Sequence, residues 1–151
     1  MNILRIDNTQ IDLVVELFDK YRIFYKQASD IAVARAFITA RLNNNESVIF
    51  VAFNDDKKPI GFTQLYPTYS SMRVSKNWIL NDLYVDSDQR KQGVGEKLIK
   101  TAMDFAREDG STFVQLSTAV DNFTAQSLYE QIGFKKQEPD TAFYTYRIAV
   151  G

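Results

Sequence analysis

The middle of the chain holds three strand-like segments in succession, and this feature constrains the fold more than any other. Val48–Phe53 is a compact apolar run, and the turn-forming residues 54–59 lead from it into a segment from Ile60 to about Tyr69. Trp78–Val85 follows after a polar stretch. Successive strands without helices between them form a meander, so the sequence predicts a mixed α+β sheet and not a doubly wound parallel sheet.

Helices and further strands flank the meander. We expect a strand at Met1–Ile6, a helix opened by Thr9 with Asp12 as in a capping box, a helix opened by Ser29 or Asp30, a helix from about Gly93 to Asp109, a strand at Phe113–Ser117, a helix at Thr124–Ile132 and a last strand at Phe143–Ala149. The predicted order is β-α-α-β-β-β-α-β-α-β, with about four helices around a central mixed, twisted sheet. No linker is visible, so one domain over residues 1–151 is predicted.

Composition excludes several kinds of chemistry. The 151 residues contain 18 Lys and Arg against 19 Asp and Glu, and this balance argues against nucleic acid or an anionic membrane as the main partner. The chain has no Cys and no His, which removes disulfides, thiolate catalysis, zinc–thiolate sites and an imidazole base. No signal peptide and no apolar run of roughly 18 residues is visible, so we expect a cytoplasmic protein.

A glycine-containing turn after the third strand of the meander is the first candidate site. Gly93 and Gly95 permit close backbone approach, and the N–H groups from about Lys91 to Gly95 are expected to lie unpaired at a helix N-terminus. Such a terminus binds anions, and Arg90 and Lys91 add positive charge, so the turn predicts a pyrophosphate site. It matches neither the dinucleotide fingerprint nor a Walker A loop, and a turn that only starts a helix remains the alternative.

A second motif lies near the end of the chain. Arg90, Gly93 and Gly95 follow the pattern R/Q-x-x-G-x-G/A, and Asn122, Ala125, Tyr129, Gly133 and Phe134 then follow N-x-x-A-x-x-x-Y-x-x-x-G-F. With both motifs in this order, the sequence resembles the GCN5-related N-acetyltransferase superfamily over about Val48–Val150. The resemblance implies the single-domain fold of that superfamily, acetyl transfer from acetyl-CoA to an amine, no metal, and a homodimer.

The resemblance also implies roles for individual residues. The backbone of Leu83–Val85 would pair with the pantetheine arm, the Val85 N–H would polarise the thioester carbonyl, and Tyr129 would protonate the leaving thiolate. Tyr129 as a core residue is the alternative, and Asn122 could equally cap its helix. The implied cofactor-binding residues are Leu83, Tyr84, Val85, Arg90, Lys91, Gln92, Gly93, Val94, Gly95, Glu96, Asn122, Ala125 and Tyr129.

The acceptor side is similar to the diamine and polyamine acetyltransferase group, with one departure. Asn81 stands where that group has a glutamate associated with activating the amine, which places polyamine specificity in question. Asp82 is the candidate charge partner of the amine, or else a structural carboxylate; it should point away from the face of Asn81 and Val85 unless a bulge intervenes. Tyr25 and Tyr66 are candidate walls of the acceptor pocket.

The sequence therefore predicts an acetyl-CoA-dependent N-acetyltransferase with catalytic residues Tyr129, Val85 and Asp82. Its acceptor is expected to be a small amine or an amino-acid-like molecule, bound by Asn81, Asp82, Tyr25 and Tyr66. Acetylation of a protein lysine or N-terminus, and a non-catalytic acyl-CoA-binding module, are the alternatives. An alkylammonium has a pKa near 10.4, so it must lose a proton before it attacks, and with no His that proton must leave through a carboxylate, a tyrosine or water.

Overall fold

The predicted meander is present and forms the centre of a five-stranded sheet. A computed structural model describes all residues from Met1 to Gly151. Its elements are β1 (Asn2–Arg5), α1 (Val15–Phe24), α2 (Ile31–Asn43), β2 (Val48–Phe53), β3 (Pro59–Ser70), β4 (Ser75–Val85), α3 (Val94–Glu108), β5 (Val114–Gln115) and α4 (Phe123–Ile132), with 3-10 turns at Ile11–Leu13 and Ser87–Gln89.

The strands lie in sequence order, and the sheet is mixed. β1 to β4 pair antiparallel, whereas β4 and β5 pair in parallel. The parallel pairing covers only Trp78 with Val114 and Ile79 with Gln115. The prediction of a mixed α+β sheet with four helices is confirmed, and β4 from Leu80 to Val85 has no strand partner on its outer edge.

Helices cover both faces of this sheet. Phe62 on β3 meets the Phe18 and Tyr21 rings of α1, at centroid distances of 6.2 and 5.8 Å. The adjacent Gly61 faces α3, because a Cβ at Gly61 would lie 3.3 Å from a Val94 methyl carbon. α1 therefore lies on one face and α3 on the other, and α2 packs against α1, where the Phe18 and Phe37 rings stack at 5.7 Å. Each buries one stripe: Val15 and Phe18 from α1, and Val94, Leu98, Ile99, Ala102 and Ala106 from α3.

The first helix begins later than predicted. Asp7, not Thr9, is the local acceptor: its carboxylate takes hydrogen bonds from the Thr9 amide, at 2.8 Å, and from the Thr9 hydroxyl. This Asx turn competes with a capping box, so a 3-10 turn precedes α1, which begins at Val15. In α2 the prediction of Asp30 as N-cap is confirmed, because its carboxylate accepts from the Val33 amide at 3.1 Å.

The chain divides into two compact units, residues 1–117 and 118–151. The second contains α4, and the predicted strand at Phe143–Ala149 is wrong: residues 135–151 form neither helix nor strand. The alternation of aromatic and β-branched residues there gives strand propensity, but a strand also needs a hydrogen-bonded neighbour, and in this structure Phe143, Tyr144, Tyr146 and Ile148 are exposed. The single domain over residues 1–151 stays a prediction. No helix in the structure is both long and apolar enough to cross a bilayer.

Candidate active site

The predicted anion site is a loop between β4 and α3 with a row of unused backbone donors. Lys91 and Gly93 both have positive φ, 63° and 79°, and α3 begins at Val94 with no side chain capping it. The six N–H groups of residues 91–96 donate no hydrogen bond within the protein. They lie at the positive end of the α3 dipole, so the loop offers an anion both charge and geometry.

Arg90 ties this loop to the end of β4. Its Nε donates to the Val85 carbonyl oxygen at 2.9 Å, and its guanidinium lies 5.6 Å from the Tyr84 ring centroid and 5.8 Å from that of Phe24. The predicted positive charge is therefore held over β4 and beside α1. Gly95 lies against the same strand, since a Cβ there would be 3.8 Å from a Val85 methyl carbon. Loop and strand end form one continuous surface.

The outer edge of β4 offers further backbone donors. Asp86 donates its N–H to the Ile60 carbonyl oxygen of the β3 side at 2.8 Å. Because successive peptide groups on a strand point to opposite edges, the N–H groups of Val85 and Leu83 point away from β3, toward the edge with no strand partner. The Tyr84 backbone points to β3 instead. Two donors thus follow the anion loop along an open edge.

A β-bulge decides where Asp82 points. Gln64 pairs with Asp82 and Leu65 pairs with Leu80, so Asn81 is the extra residue on β4. Asp82 therefore points away from Val85, as predicted, and the bulge brings only Asn81 to its side. The Asn81 side-chain amide donates to the Asp82 carboxylate at 2.8 Å, and the predicted pair lies together.

Asp82 is a buried carboxylate with no cationic partner. It is 3% exposed, and its polar neighbours are the Gln64 and Asn81 side-chain amides, which donate to it, and the Tyr21 hydroxyl. No Lys or Arg forms an ion pair with it. Burial raises the pKa of Asp82, and these three neutral neighbours oppose that rise. Perturbed carboxylates of this kind concentrate at functional sites.

Gln64 and Tyr21 were not predicted as site residues. Gln64 is fully buried, and its Oε1 has no hydrogen-bond partner. The only sequence signal was a polar residue between Phe62 and Leu65 in an apolar strand, and only the register shows that it faces Asp82. Tyr21 is one of several aromatic residues near the end of α1, and its hydroxyl donates to the Asn81 carbonyl oxygen at 3.4 Å.

The two predicted pocket tyrosines lie around this cluster. Burial and the Asp82 charge raise the pKa of Tyr66 to about 12 and also raise the pKa of Tyr21. Tyr25 is 60% exposed and meets the Tyr21 ring edge-on at 5.0 Å. The structure thus groups Tyr25 and Tyr66 with Tyr21 and Asp82.

The second predicted motif lies in the second unit. The Asn122 carboxamide caps α4 by accepting from the Ala125 amide at 3.2 Å. Tyr129 lies in the same helix, with its ring 6.1 Å from that of Phe134. The N-cap interpretation of Asn122 is therefore confirmed, while the cofactor roles of Asn122, Ala125 and Tyr129 stay predictions. No cluster of three or more acidic side chains forms a metal site in the structure.

Comparison with known proteins identifies the architecture. The sequence model of the Acetyltransferase (GNAT) family matches residues 12–134. The uncharacterized N-acetyltransferase YhfO of Bacillus subtilis is 44% identical over 99% of this chain and 98% of its own length. A crystal structure of a probable acetyltransferase matches with a TM-score of 0.88 and 39% identity, over 100% of this chain and 99% of its own.

A more distant structure shows the same fold with a ligand. The aminoglycoside N-acetyltransferase AAC(6')-Iy, in complex with CoA, matches with a TM-score of 0.79 and 19% identity, over 97% of this chain and 95% of that chain. At this identity the match concerns the fold alone. It nevertheless shows that the architecture accommodates CoA in that protein.

Proposed function

Since the chain belongs to the Acetyltransferase (GNAT) family and is an acetyltransferase, we propose that it transfers the acetyl group of acetyl-CoA to a primary amine of a small molecule. Binding of acetyl-CoA is supported by the row of six unpaired N–H groups at the start of α3, beside the open edge of β4. Pyrophosphate carries negative charge and many acceptor oxygens, which match a row of amides at a helix N-terminus.

The cofactor arm would follow the open edge of β4. Its amides can pair with the outward N–H groups of Val85 and Leu83 and with the Leu83 C=O, as an added strand would, whereas the Val85 C=O already accepts from Arg90. The predicted oxyanion role of the Val85 N–H is retained in this proposal. The Leu83 N–H faces the same edge nearer to Asp82 and is available to the same carbonyl. Either donor would stabilise the charge that develops on the thioester oxygen.

The acceptor half is supported by the buried charge of Asp82. A buried carboxylate without a cation is costly, and an alkylammonium would supply the missing charge. Asn81, in place of a second carboxylate, fits an acceptor with one ammonium, such as a short amine or an amino-acid-like molecule. The likeness to the diamine and polyamine group is not confirmed, and long polyamines are not part of the proposal.

Tyr129 is proposed as the acid that protonates the CoA thiolate. Its support is the motif Asn122–Phe134, in which it stands four residues before Gly133. A phenol near pKa 10 gives its proton to a thiolate near 8.5 only if the site stabilises the tyrosinate or passes a proton onward. The homodimer that the resemblance implies and the cytoplasmic location predicted from the sequence are also part of the proposal; sedimentation of the purified protein and localisation of the tagged chain would test them.

The test of the function is release of free CoA from acetyl-CoA in the presence of an amine panel, with product masses measured. Short primary amines, amino-acid-like amines, spermidine and a lysine-containing peptide form the panel. We expect turnover with at least one small amine and a mass gain of one acetyl group. Turnover of the peptide alone would favour protein acetylation, and binding of acetyl-CoA without any turnover would favour a non-catalytic module.

A further inference from the structure

The proton of the acceptor amine has no direct way to Asp82. This carboxylate is 3% exposed, so a substrate ammonium cannot touch it unless one of its donors moves away. Three side chains surround it: Gln64, fully buried; Asn81, exposed; and Tyr21, half-buried. A carboxamide cannot take up and pass on a proton under these conditions, whereas a phenol hydroxyl can do both. Among these neighbours, only Tyr21 is both reachable and able to relay.

We propose that Tyr21 relays the proton of the acceptor ammonium to Asp82, which is the terminal base of the reaction. This inference rests on the proposed function and names a catalytic residue that the sequence did not indicate. The Tyr21 hydroxyl lies beside the Asp82 carboxylate and donates its one proton to the Asn81 carbonyl oxygen at 3.4 Å; rotation about the C–O bond turns that proton to Asp82 and leaves a lone pair for an incoming N–H. The ring is held by Phe18, Phe62 and Tyr25 at centroid distances of 5.0 to 6.2 Å.

The ammonium gives one proton to Tyr21 Oη while the Tyr21 proton moves to an Asp82 oxygen, which leaves a neutral amine, a neutral tyrosine and a protonated carboxyl group. The amine nitrogen then bonds to the acetyl carbon, and the C–S bond breaks. The nitrogen loses its second proton, which accounts for the proton gained by the thiolate, and Asp82 returns its own proton to solvent through Tyr21.

The charges around the relay favour this direction. The raised pKa of Asp82 makes it a stronger base than an exposed aspartate, and the raised pKa of Tyr21 keeps the relay neutral between turnovers. Besides Asp82, the groups that act on Tyr21 are Tyr25 from its own helix and Tyr66 from β3, and neither is a cation. Arg41 and Glu46 act on Tyr66, with opposite signs.

The test compares Tyr21→Phe with Tyr69→Phe, the same deletion of a hydroxyl at an exposed position of β3. For an alkylamine with a pKa near 10, Tyr21→Phe should lower kcat/KM about 10²-fold, with the KM for acetyl-CoA unchanged. The loss should shrink for an amine with a pKa near 7, which arrives largely deprotonated. Asp82→Asn should show at least this loss, because it also removes the charge that attracts the ammonium, and the double variant should be no slower than Asp82→Asn, because the two residues act in one path.

An activity-independent measurement completes the test. In protein carrying ¹³C-labelled tyrosine, the Tyr21 resonance, assigned by its absence in Tyr21→Phe, should titrate with Asp82 and lose that titration in Asp82→Asn. If Tyr21→Phe acetylates the basic amine at the wild-type rate, the relay is overturned while the proposed function stands. If the wild type acetylates no amine of the panel, the proposed function fails, and absence of the coupled titration then overturns the Tyr21–Asp82 link as well.

Discussion

Gly93→Val should abolish tight acetyl-CoA binding while the fold survives, and α3 offers a matched control. Gly93 has φ of 79° and Gly110, at the other end of the helix, has φ of 78°; a Cβ would meet no protein atom within 4 Å at either position. A helix of 15 residues separates them, about 22 Å of axis. Gly110→Val therefore reproduces the backbone strain without touching the loop.

The expected magnitudes differ for stability and for binding. A side chain in the left-handed region costs about 1–2 kcal/mol, so both variants should melt about 2–8 °C lower. Only Gly93→Val places methyl groups where phosphate must meet the N–H groups of residues 91–96. A hydrogen bond to a charged group contributes about 1.5–3 kcal/mol, so loss of two of them should weaken binding about 10²–10⁴-fold.

Calorimetric titration with acetyl-CoA, beside thermal melting of the same samples, separates the two effects. Wild type and Gly110→Val should bind with similar dissociation constants, and Gly93→Val should bind far more weakly or not measurably. Equal affinity of all three proteins would refute the assignment of this loop to the pyrophosphate. Equal weakening in both variants would trace the effect to helix strain instead.

Four further predictions concern the proton donor, the acceptor, the buried carboxylate of Asp82 and the carboxylate of Asp109. Tyr129→Phe should lower kcat about 10²–10⁴-fold with little change in acetyl-CoA affinity or Tm, and wild-type kcat would leave Tyr129 as a packing residue. Spermidine should show a lower kcat/KM than a short or lysine-like amine, and a clear spermidine preference would contradict the single-ammonium acceptor. Asp82 binds its proton more tightly in the folded state than in the unfolded state. The free energy of unfolding should therefore fall as pH rises from 3.8 toward the raised pKa of Asp82. Urea titrations should show that this fall is absent in Asp82→Asn. Trp78 and Lys76 lower the pKa of Asp109, so its contribution to the free energy of unfolding should rise with pH. If the contributions of Asp82 and Asp109 changed in the same direction with pH, the surroundings described for both carboxylates would be contradicted.

The cofactor half of the site could be predicted because it depends on local sequence. Gly93 and Gly95 follow β4 within one turn, and the unpaired N–H groups arise from the start of α3 itself. The length and apolar pattern of β2 and α3 fixed those elements for the same reason. Neither feature depends on where a distant segment packs.

The acceptor half could not be predicted in the same way. Tyr21, Gln64 and Asp82 come from three elements, and the bulge at Asn81 decides which of them meet. A bulge inserts one residue, so the side chains on the two sides of it no longer alternate in register, and no residue pattern in Leu80–Leu83 predicts it. The predicted strand at Phe143–Ala149 failed for a related reason, since alternation gives propensity but supplies no pairing partner.

In the proposed reaction, the buried charge of Asp82 explains both why the acceptor ammonium binds and why it loses its proton. Before the acceptor arrives, the carboxylate is held only by neutral donors, so an ammonium is attracted to the cluster. Once the proton has passed through Tyr21, both charges are gone, and the neutral amine no longer has a partner to hold it. It is then free to attack the acetyl group on the open edge of β4. A second carboxylate at position 81 would keep holding a charged acceptor, and Asn81 does not.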